Sequence, residues 1–235
     1  MTTALLQTTY FGPIQWYQKL YRYDHCLIEQ YDSFQKQTYR NRCVIATANG
    51  VQALTVPIIH NGELKIENYD MSNASKQGNH NSQSSIPNSQ LVKDLRISDH
   101  NQWRRVHWNA LQSAYSESPF FEYYADDLHP FFEQKYDYLL DFNEAIRQKI
   151  CELIDIRPQV EYTSSYIPSP PPFGRTGVGS PDDFRDIINA KHPQPDAGFT
   201  PKEYWQVFRH KHGFLPNLSI LDLLFNMGPE SIFYL

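Results

Sequence analysis

The most restrictive feature of the sequence is a β-hairpin signature across residues 36–59, KQTYRNRCVIATANGVQALTVPII. Two runs rich in β-forming residues flank Asn49 and Gly50, the dipeptide that most readily supplies the two positive φ angles of a type I′ turn. A two-residue turn at this dipeptide sets Arg42 opposite Pro57. Because proline has no N–H to donate, strand pairing is expected to stop at that position.

Polar and basic residues gather at the open end of this hairpin, which we call the hairpin mouth: Lys36, Arg40, Asn41 and Arg42. Both hairpin faces carry apolar residues, which predicts a hairpin covered on both sides. The ladder is expected to end beside the mouth, so its side chains are free for contact. Arginine presents a planar fork that suits carboxylate and phosphate, which makes the mouth a candidate anion site. Ordinary solvated charges beside a strand end are the alternative.

Composition and charge narrow the class of protein. The chain has 235 residues, 40% of them hydrophobic, which is enough for the core of one domain over residues 1–235. A net charge of −5 gives no electrostatic support for nucleic acid as a partner. The three cysteines are widely spaced, which argues against a disulfide framework. The sequence has no HExxH motif, so a metal site is not indicated, and no cofactor is expected. Without a signal sequence or a run of ~20 apolar residues, we expect a cytoplasmic protein with no membrane span.

The order of predicted elements indicates an α/β (or α+β) fold in a single domain. We expect a mixed sheet built from the N-terminal half, with the hairpin in it, packed by the helices of the C-terminal half. Residues 71–90 are rich in Asn, Ser and Gln and are predicted to be a flexible polar insertion. Residues 163–200 are predicted to form a proline-rich loop. One long helix is predicted over residues 131–154.

An amphipathic helix after Asp99 contains a histidine of interest. Asp99 is the predicted N-cap, with Gln102 at the reciprocal position of a capping box. His107 lies within the apolar stripe, so it should face the interior or a cleft, where it could act as general acid or base. A core histidine bonded to a backbone carbonyl or a tyrosine is the alternative. The stripe consists of Trp103, Val106, His107, Ala110, Leu111, Ala114 and Tyr115.

A second polar group surrounds the junction of the first strand and the first helix: Gln7, Tyr10 and Gln15. Ligands bind at the carboxyl edge of α/β sheets, and a helix N-terminus favours anions. Ordinary capping and loop packing would use the same residue types. Asp32 supplies a carboxylate shortly after the second predicted strand.

The sequence resembles the WbqC-like family of bacterial proteins. Its opening, LQTTYFGPIQWYQKLYRYDHCLIEQYDSFQKQTYRNRCVIATANGVQALTVPI, contains that family's pattern at Gln7, Tyr10-Phe11, Asp24, Tyr31-Asp32, Asn41-Arg42 and Leu54-Thr55-Val56-Pro57. The later stretch WRRVHWNALQSAYSESPFFEYY resembles the family's Trp/His helix followed by Pro-Phe. The terminal FLPNLSILDLLFNMGPES is similar to the form found in Bacteroidetes-type bacteria.

The resemblance implies an enzyme, a transferase of O-antigen-type surface-polysaccharide biosynthesis. Its expected reaction is aminoacyl transfer, with glycine as the group moved, to a small sugar or sugar-linked acceptor. His107 and Asp32 are then the expected catalytic residues. The expected substrate-binding residues are Gln7, Tyr10, Gln15, Lys36, Arg40, Asn41, Arg42 and Trp103.

Two other classes of function remain open from the sequence. The first strand, turn and helix are similar in layout to the nucleotidylyltransferase turn, with Gln15 and Gln18 where that family has two phosphate-binding histidines. A glutamine can donate a hydrogen bond but cannot become an imidazolium. The other class is a non-catalytic binding or assembly protein that recruits a partner through its proline-rich loop.

Overall fold

The structure, a computed structural model, describes residues 1–59, 90–169 and 180–235. The predicted polar insertion therefore lies outside the described residues except for Gln90, and so does the centre of the proline-rich segment. In the described chain the strands are β1 Thr3–Gln7, β2 His25–Glu29, β3 Arg42–Thr47, β4 Gly50–Thr55, β5 Ile58–Ile59, β6 Arg96–Ile97, β7 Val160–Tyr162 and β8 Asp182–Asp183. The helices are α1 Ile14–Arg22, α2 Trp103–Tyr115, α3 Phe121–Leu128, α4 Pro130–Glu133, α5 Leu139–Leu153, α6 Arg209–His212 and α7 Ile220–Met227.

A parallel sheet of four strands in the order β7-β2-β1-β8 forms the centre of the fold, which confirms the predicted α/β class. β1 is buried from its second residue to its last, as expected for a parallel strand covered on both faces. α1 follows it after Pro13, whose φ of −69° suits the entry to a helix. Every residue of α1 from Ile14 to Leu20 is buried, so this helix is surrounded by protein.

The outer strands of the sheet come from a distant part of the chain. β7 pairs with β2, and β8, which lies inside the predicted proline-rich loop, pairs with β1. These strands are three and two residues long, too short to show the alternation that identifies a strand in a sequence. Their addition brings the residues after β1, β2, β7 and β8 to one carboxyl edge.

The hairpin of β3 and β4 forms where predicted, but as a separate two-stranded sheet and not within a mixed sheet, and with a different turn and register. Thr47 pairs with Gly50, and Arg42 pairs with Thr55 rather than with Pro57. Within the turn the positive φ, 105°, falls on Gly50 and not on Asn49, so the predicted type I′ turn is wrong. A type I turn followed by a left-handed glycine gives this pattern, because glycine takes that φ without a steric cost. The ladder still ends at Arg42, as expected.

The prediction that both hairpin faces are covered is also wrong. Cys43, Ile45 and Leu54 are buried on one face, whereas Val51 and Ala53 on the other are exposed. Alanine, glutamine and threonine make up much of β4, so the exposed face carries little apolar area and needs no covering layer.

α2 confirms the predicted amphipathic helix, except that Val106 of the predicted stripe is 54% exposed, and its start also differs from the prediction. Asn101 and Gln102 have left-handed backbone angles, and no side chain caps the helix. Asp99 is not the N-cap, because its carboxylate pairs with Arg104 at 2.5 Å and with Lys135 at 2.7 Å. None of the described helices is long and apolar enough to cross a membrane.

The single helix predicted over residues 131–154 is interrupted. α4 ends at Glu133 and α5 begins at Leu139, with an extended segment between them. In that segment Tyr138 forms an antiparallel bridge with Arg96, and the Leu139 N–H donates to the Leu95 carbonyl at 2.9 Å. These long-range backbone bonds replace the local helical ones, which a helical pattern alone does not reveal.

Candidate functional site

A cavity of about 390 Å³ opens at the hairpin mouth. We call it the mouth pocket, and it is lined by Phe34, Lys36, Gln37, Asn41, Arg42, Thr55, Val56, Pro57 and Ile58. Of the lining side chains that the structure describes, two are cationic and none is acidic. Among the described residues no carboxylate forms an ion pair with either cation, Lys36 or Arg42. The mouth pocket is therefore a positively charged cleft with an aromatic ring in its wall.

The end of the hairpin ladder fixes the walls of the mouth pocket. The Asn41 side-chain amide donates to the Val56 carbonyl at 2.8 Å, and the Val56 N–H donates to the Asn41 carbonyl at 2.8 Å. Arg42 lies one residue further, where its Nε donates to the Thr55 hydroxyl at 3.1 Å. Asn41 thus maintains the shape of the pocket, and Arg42 is held at its stem while its terminal nitrogens remain available for an anion.

Arg40 does not join this pocket. Its side chain is only 3% exposed, and its guanidinium lies 2.5 Å from a carboxylate oxygen of Asp32. Burial lowers the pKa of Arg40, and the charge and hydrogen bond of Asp32 counteract this. The structure therefore pairs one predicted binding residue with one predicted catalytic residue in a buried ion pair.

His107 lies behind the mouth pocket in a buried aromatic cluster. The Tyr10 hydroxyl donates to Nδ1 of His107 at 2.9 Å, and the ring also bonds to the backbone of Thr55. Burial lowers the pKa of His107 to about 4, so the ring is neutral at pH 7. Trp103 packs edge-on to the ring at 5.1 Å and donates its Nε1–H to the Ser98 carbonyl at 3.0 Å. These contacts match the alternative of a core histidine.

Gln7 and Gln15 bond to other parts of the protein rather than to the mouth pocket. The Gln7 amide donates to the Ile188 carbonyl at 2.5 Å. Gln15 donates to Asp196 at 2.9 Å and accepts from Asn217 at 3.0 Å. The structure thus brings three predicted residues together in one pocket, namely Lys36, Asn41 and Arg42. It places Gln7, Tyr10, Gln15, Asp32, Arg40, Trp103 and His107 elsewhere.

Two buried ionic groups were not found from the sequence. At the carboxyl edge, Arg185 binds both oxygens of Asp183, at 2.9 and 2.6 Å, and approaches Glu29 at 3.5 Å. On α1, Lys19 pairs with Asp196 at 2.6 Å. The partners are separated by long stretches of chain, except Arg185 and Asp183. Because α1 is buried on all sides, it has no polar face in the sequence that would have indicated a role for Lys19.

Metal binding has no visible support in the described parts of the chain. No three His, Cys, Asp or Glu side chains there are grouped so that they could hold a metal ion. Burial raises the pKa of the Cys151 thiol to about 11 and that of Cys26 to about 12, so both thiols are protonated at neutral pH.

Comparison with known proteins gives the chain a family context. The sequence profile of the WbqC-like protein family matches residues 7–89 and 81–171, which include the mouth pocket, α2 and the Asp32–Arg40 pair. The uncharacterized protein Rv1507c of Mycobacterium tuberculosis is 24% identical over 247 residues, covering 99% of this chain and 96% of that protein. No solved structure matches the chain significantly.

Proposed function

The chain belongs to the WbqC-like protein family, and on this basis we propose that it is a cytoplasmic transferase of bacterial surface-polysaccharide biosynthesis. Its proposed acceptor is a hydroxyl or amine of a small sugar or sugar-linked molecule. The proposed reaction is aminoacyl transfer, in which the acceptor attacks the carbonyl of a glycyl group carried as an activated ester or thioester. The bond from the glycyl carbonyl to its carrier breaks, and the carrier leaves with the proton that the acceptor loses. The family membership supports the biological setting of this proposal, and the mouth pocket supports the class of substrate.

The observation that carries the proposal is the positive charge of the mouth pocket, with which no carboxylate in the described part of the chain forms an ion pair. Activated and carrier-linked sugars carry phosphate, so the acceptor supplies an anionic group for the pocket, whereas the carboxyl group of glycine is the reacting acyl group and is not a free anion. Arg42 can bind such a group through two parallel N–H donors, and the exposed Lys36 adds a mobile point charge. Phe34 provides an apolar wall for the body of the substrate.

The proposal gives His107 and Asp32 positioning roles in place of the catalytic roles expected from the sequence. A general base needs a pKa near the working pH and a free nitrogen within reach of the substrate. His107 has a pKa of about 4 and bonds to Tyr10 and Thr55, and Thr55 lines the pocket. Asp32 fixes Arg40, the residue directly before Asn41.

Genetic complementation tests the proposal. Deletion of the coding sequence should remove a glycyl substituent from the surface polysaccharide, measured by mass spectrometry of the purified glycan. Wild-type protein should restore the substituent, whereas Arg42→Ala should lower it about tenfold or more, because a charge-assisted hydrogen bond is lost. The matched control Arg105→Ala removes an exposed arginine from α2, outside the mouth pocket, and should restore the substituent fully. Full restoration by Arg42→Ala would contradict the proposal.

A further inference from the structure

A second cavity, of about 480 Å³, is lined by residues of α1, of β8 and of the segment 196–198. We call it the α1 cavity. Its lining includes Lys19, Tyr23, Asp182, Phe184, Asp196 and Gly198. One wall is the buried helix α1 and the opposite wall is the segment 196–198. No residue of the mouth pocket lines it.

The α1 cavity contains a cradle for one carboxylate. Lys19 is 2% exposed, and its ammonium lies 2.6 Å from Oδ2 of Asp196 and 4.6 Å from the centre of the Phe184 ring. Gln15 donates to the same Oδ2 at 2.9 Å. Both donors belong to α1, so the cradle is a fixed part of the core. Although burial opposes it, bonds from Lys19 and Gln15 hold the pKa of Asp196 below its usual range.

The segment that supplies this carboxylate is much less firmly held than the helix that binds it. Residues 191–195 are exposed, as are Ala197, Gly198 and Thr200. Within it the Gly198 and Phe199 N–H groups donate to Asp196 itself, at 2.9 and 3.1 Å, and the Gln194 N–H donates to the Ile187 carbonyl at 3.2 Å. The Asp196 carboxylate is therefore the polar link between the exposed segment and α1.

A buried ammonium needs a counter-charge, because an unpaired charge in the interior is strongly destabilising. Asp196 can therefore leave Lys19 at low cost only if another anion takes its place. An external carboxylate would meet the same two donors on α1 with the same geometry. This exchange links the opening of segment 191–200 to the binding of an anionic ligand.

The remaining charges of the α1 cavity restrict the ligand further. Asp182 is exposed at the cavity wall, where one of its oxygens accepts the Tyr23 hydroxyl at 2.8 Å. Arg22 is engaged by the carbonyl of Leu235 at 3.0 Å. Asp183 also lines the cavity but is paired with Arg185 at 2.6 Å, so among the described lining residues the carboxylate of Asp182 is the one placed to attract an ammonium. A small molecule with one carboxylate and one ammonium fits both walls.

We propose that the α1 cavity is a binding site for a small α-amino acid, whose carboxylate replaces Asp196 at Lys19 and Gln15 and whose ammonium faces Asp182. Asp196 acts as an internal competitor that closes the site when the amino acid is absent. The argument rests on the contacts of this cavity and is independent of the mouth pocket, so either proposal can fail without the other.

Calorimetric titration with glycine tests the site, because Asp196→Asn removes the competing charge without changing the size of the side chain. The variant should bind glycine at least about tenfold more tightly than the wild type, since the ligand no longer displaces an ion pair. Adding Lys19→Gln to that variant should abolish binding. The matched control Asp155→Asn, an exposed acid at two other cavities, should bind as the wild type does.

The outcomes separate the parts of the proposal. The proposal is overturned if Asp196→Asn binds glycine as the wild type does or more weakly. It is also overturned if neither the wild type nor any of the variants binds glycine saturably. Acetate binding as tight as glycine binding overturns the amino-acid class, because no ammonium contact is then used. If Asp196→Asn fails to fold, tryptic cleavage of the wild type after Lys191 provides the test. Saturating glycine should accelerate this cleavage, whereas methylamine should not. An unchanged cleavage rate with glycine overturns the proposal.

Discussion

At the scale of single residues, burial decides what a titratable side chain can do. His107 has the residue type and helix position expected of a general base, yet its ring is 4% exposed and bonds to Tyr10 and Thr55. Arg40 and Arg42 are two residues apart in the sequence, but Arg40 faces Asp32 in the interior and Arg42 faces the mouth pocket. Arg40 lies in the turn before β3 and Arg42 is the first residue of β3, so the change of chain direction between them separates the structural arginine from the one available to a ligand.

The low pKa of His107 predicts an acid-sensitive contribution to stability. In the unfolded chain the ring titrates near 6.5, and in the native state near 4. Between these values the unfolded state binds more protons than the native state. The contribution of His107 to the free energy of unfolding should therefore be present in full above pH 6.5 and be lost as the pH decreases towards 4. The loss is at most about 3 kcal/mol.

Urea unfolding at pH 7, 5.5 and 4 measures this contribution by comparing the wild type with His107→Gln. A glutamine amide can donate to Thr55 and accept from Tyr10 without titrating. The variant should therefore lose less stability than the wild type over this range. Parallel pH profiles for the two proteins would contradict the account of His107.

At the scale of elements, those specified by local sequence signals were predicted, whereas the pairing of segments distant in the sequence was not. The hairpin, α1 and α2 follow from turn dipeptides, proline and a complete apolar stripe, all of which act over a few residues. The hairpin register differed because one positive φ, at Gly50, replaced the two of a type I′ turn. The break between α4 and α5 depends on backbone bonds to residues 95 and 96, which no local pattern encodes.

The observed turn predicts that Asn49 and Gly50 respond differently to alanine. Gly50→Ala should lower the free energy of unfolding by about 1 kcal/mol or more, because a φ of 105° strains any residue with a Cβ atom. No neighbouring atom would contact the added Cβ, so the loss comes from the backbone alone. Asn49→Ala is the matched control and should change stability by less than about 0.5 kcal/mol. Equal losses in thermal unfolding would indicate the type I′ turn instead.

At the scale of the whole molecule, the candidate site divides into a part that a sequence can show and a part that it cannot. Lys36, Asn41 and Arg42 are close in the chain, and the end of the hairpin ladder brings them together. Lys19 and Asp196 meet only because β8 joins the parallel sheet beside β1. Gln7, Tyr10 and His107 were expected to converge with the arginines, but Tyr10 and His107 bond to each other in a buried aromatic cluster and Gln7 bonds to the Ile188 carbonyl.

The central claim is that the mouth pocket binds the anionic group of a substrate, and an NMR titration tests it most directly. Inorganic phosphate and UDP-glucose are added separately to the ¹⁵N-labelled protein, with the Arg42 Nε signal assigned through Arg42→Lys. Saturable shifts are predicted at the Arg42 Nε–H and at the amides of Lys36 and Val56, and Arg105→Ala should leave them unchanged. The absence of a saturable shift at Arg42 with either anion, or shifts confined to residues outside the mouth pocket, would contradict the claim.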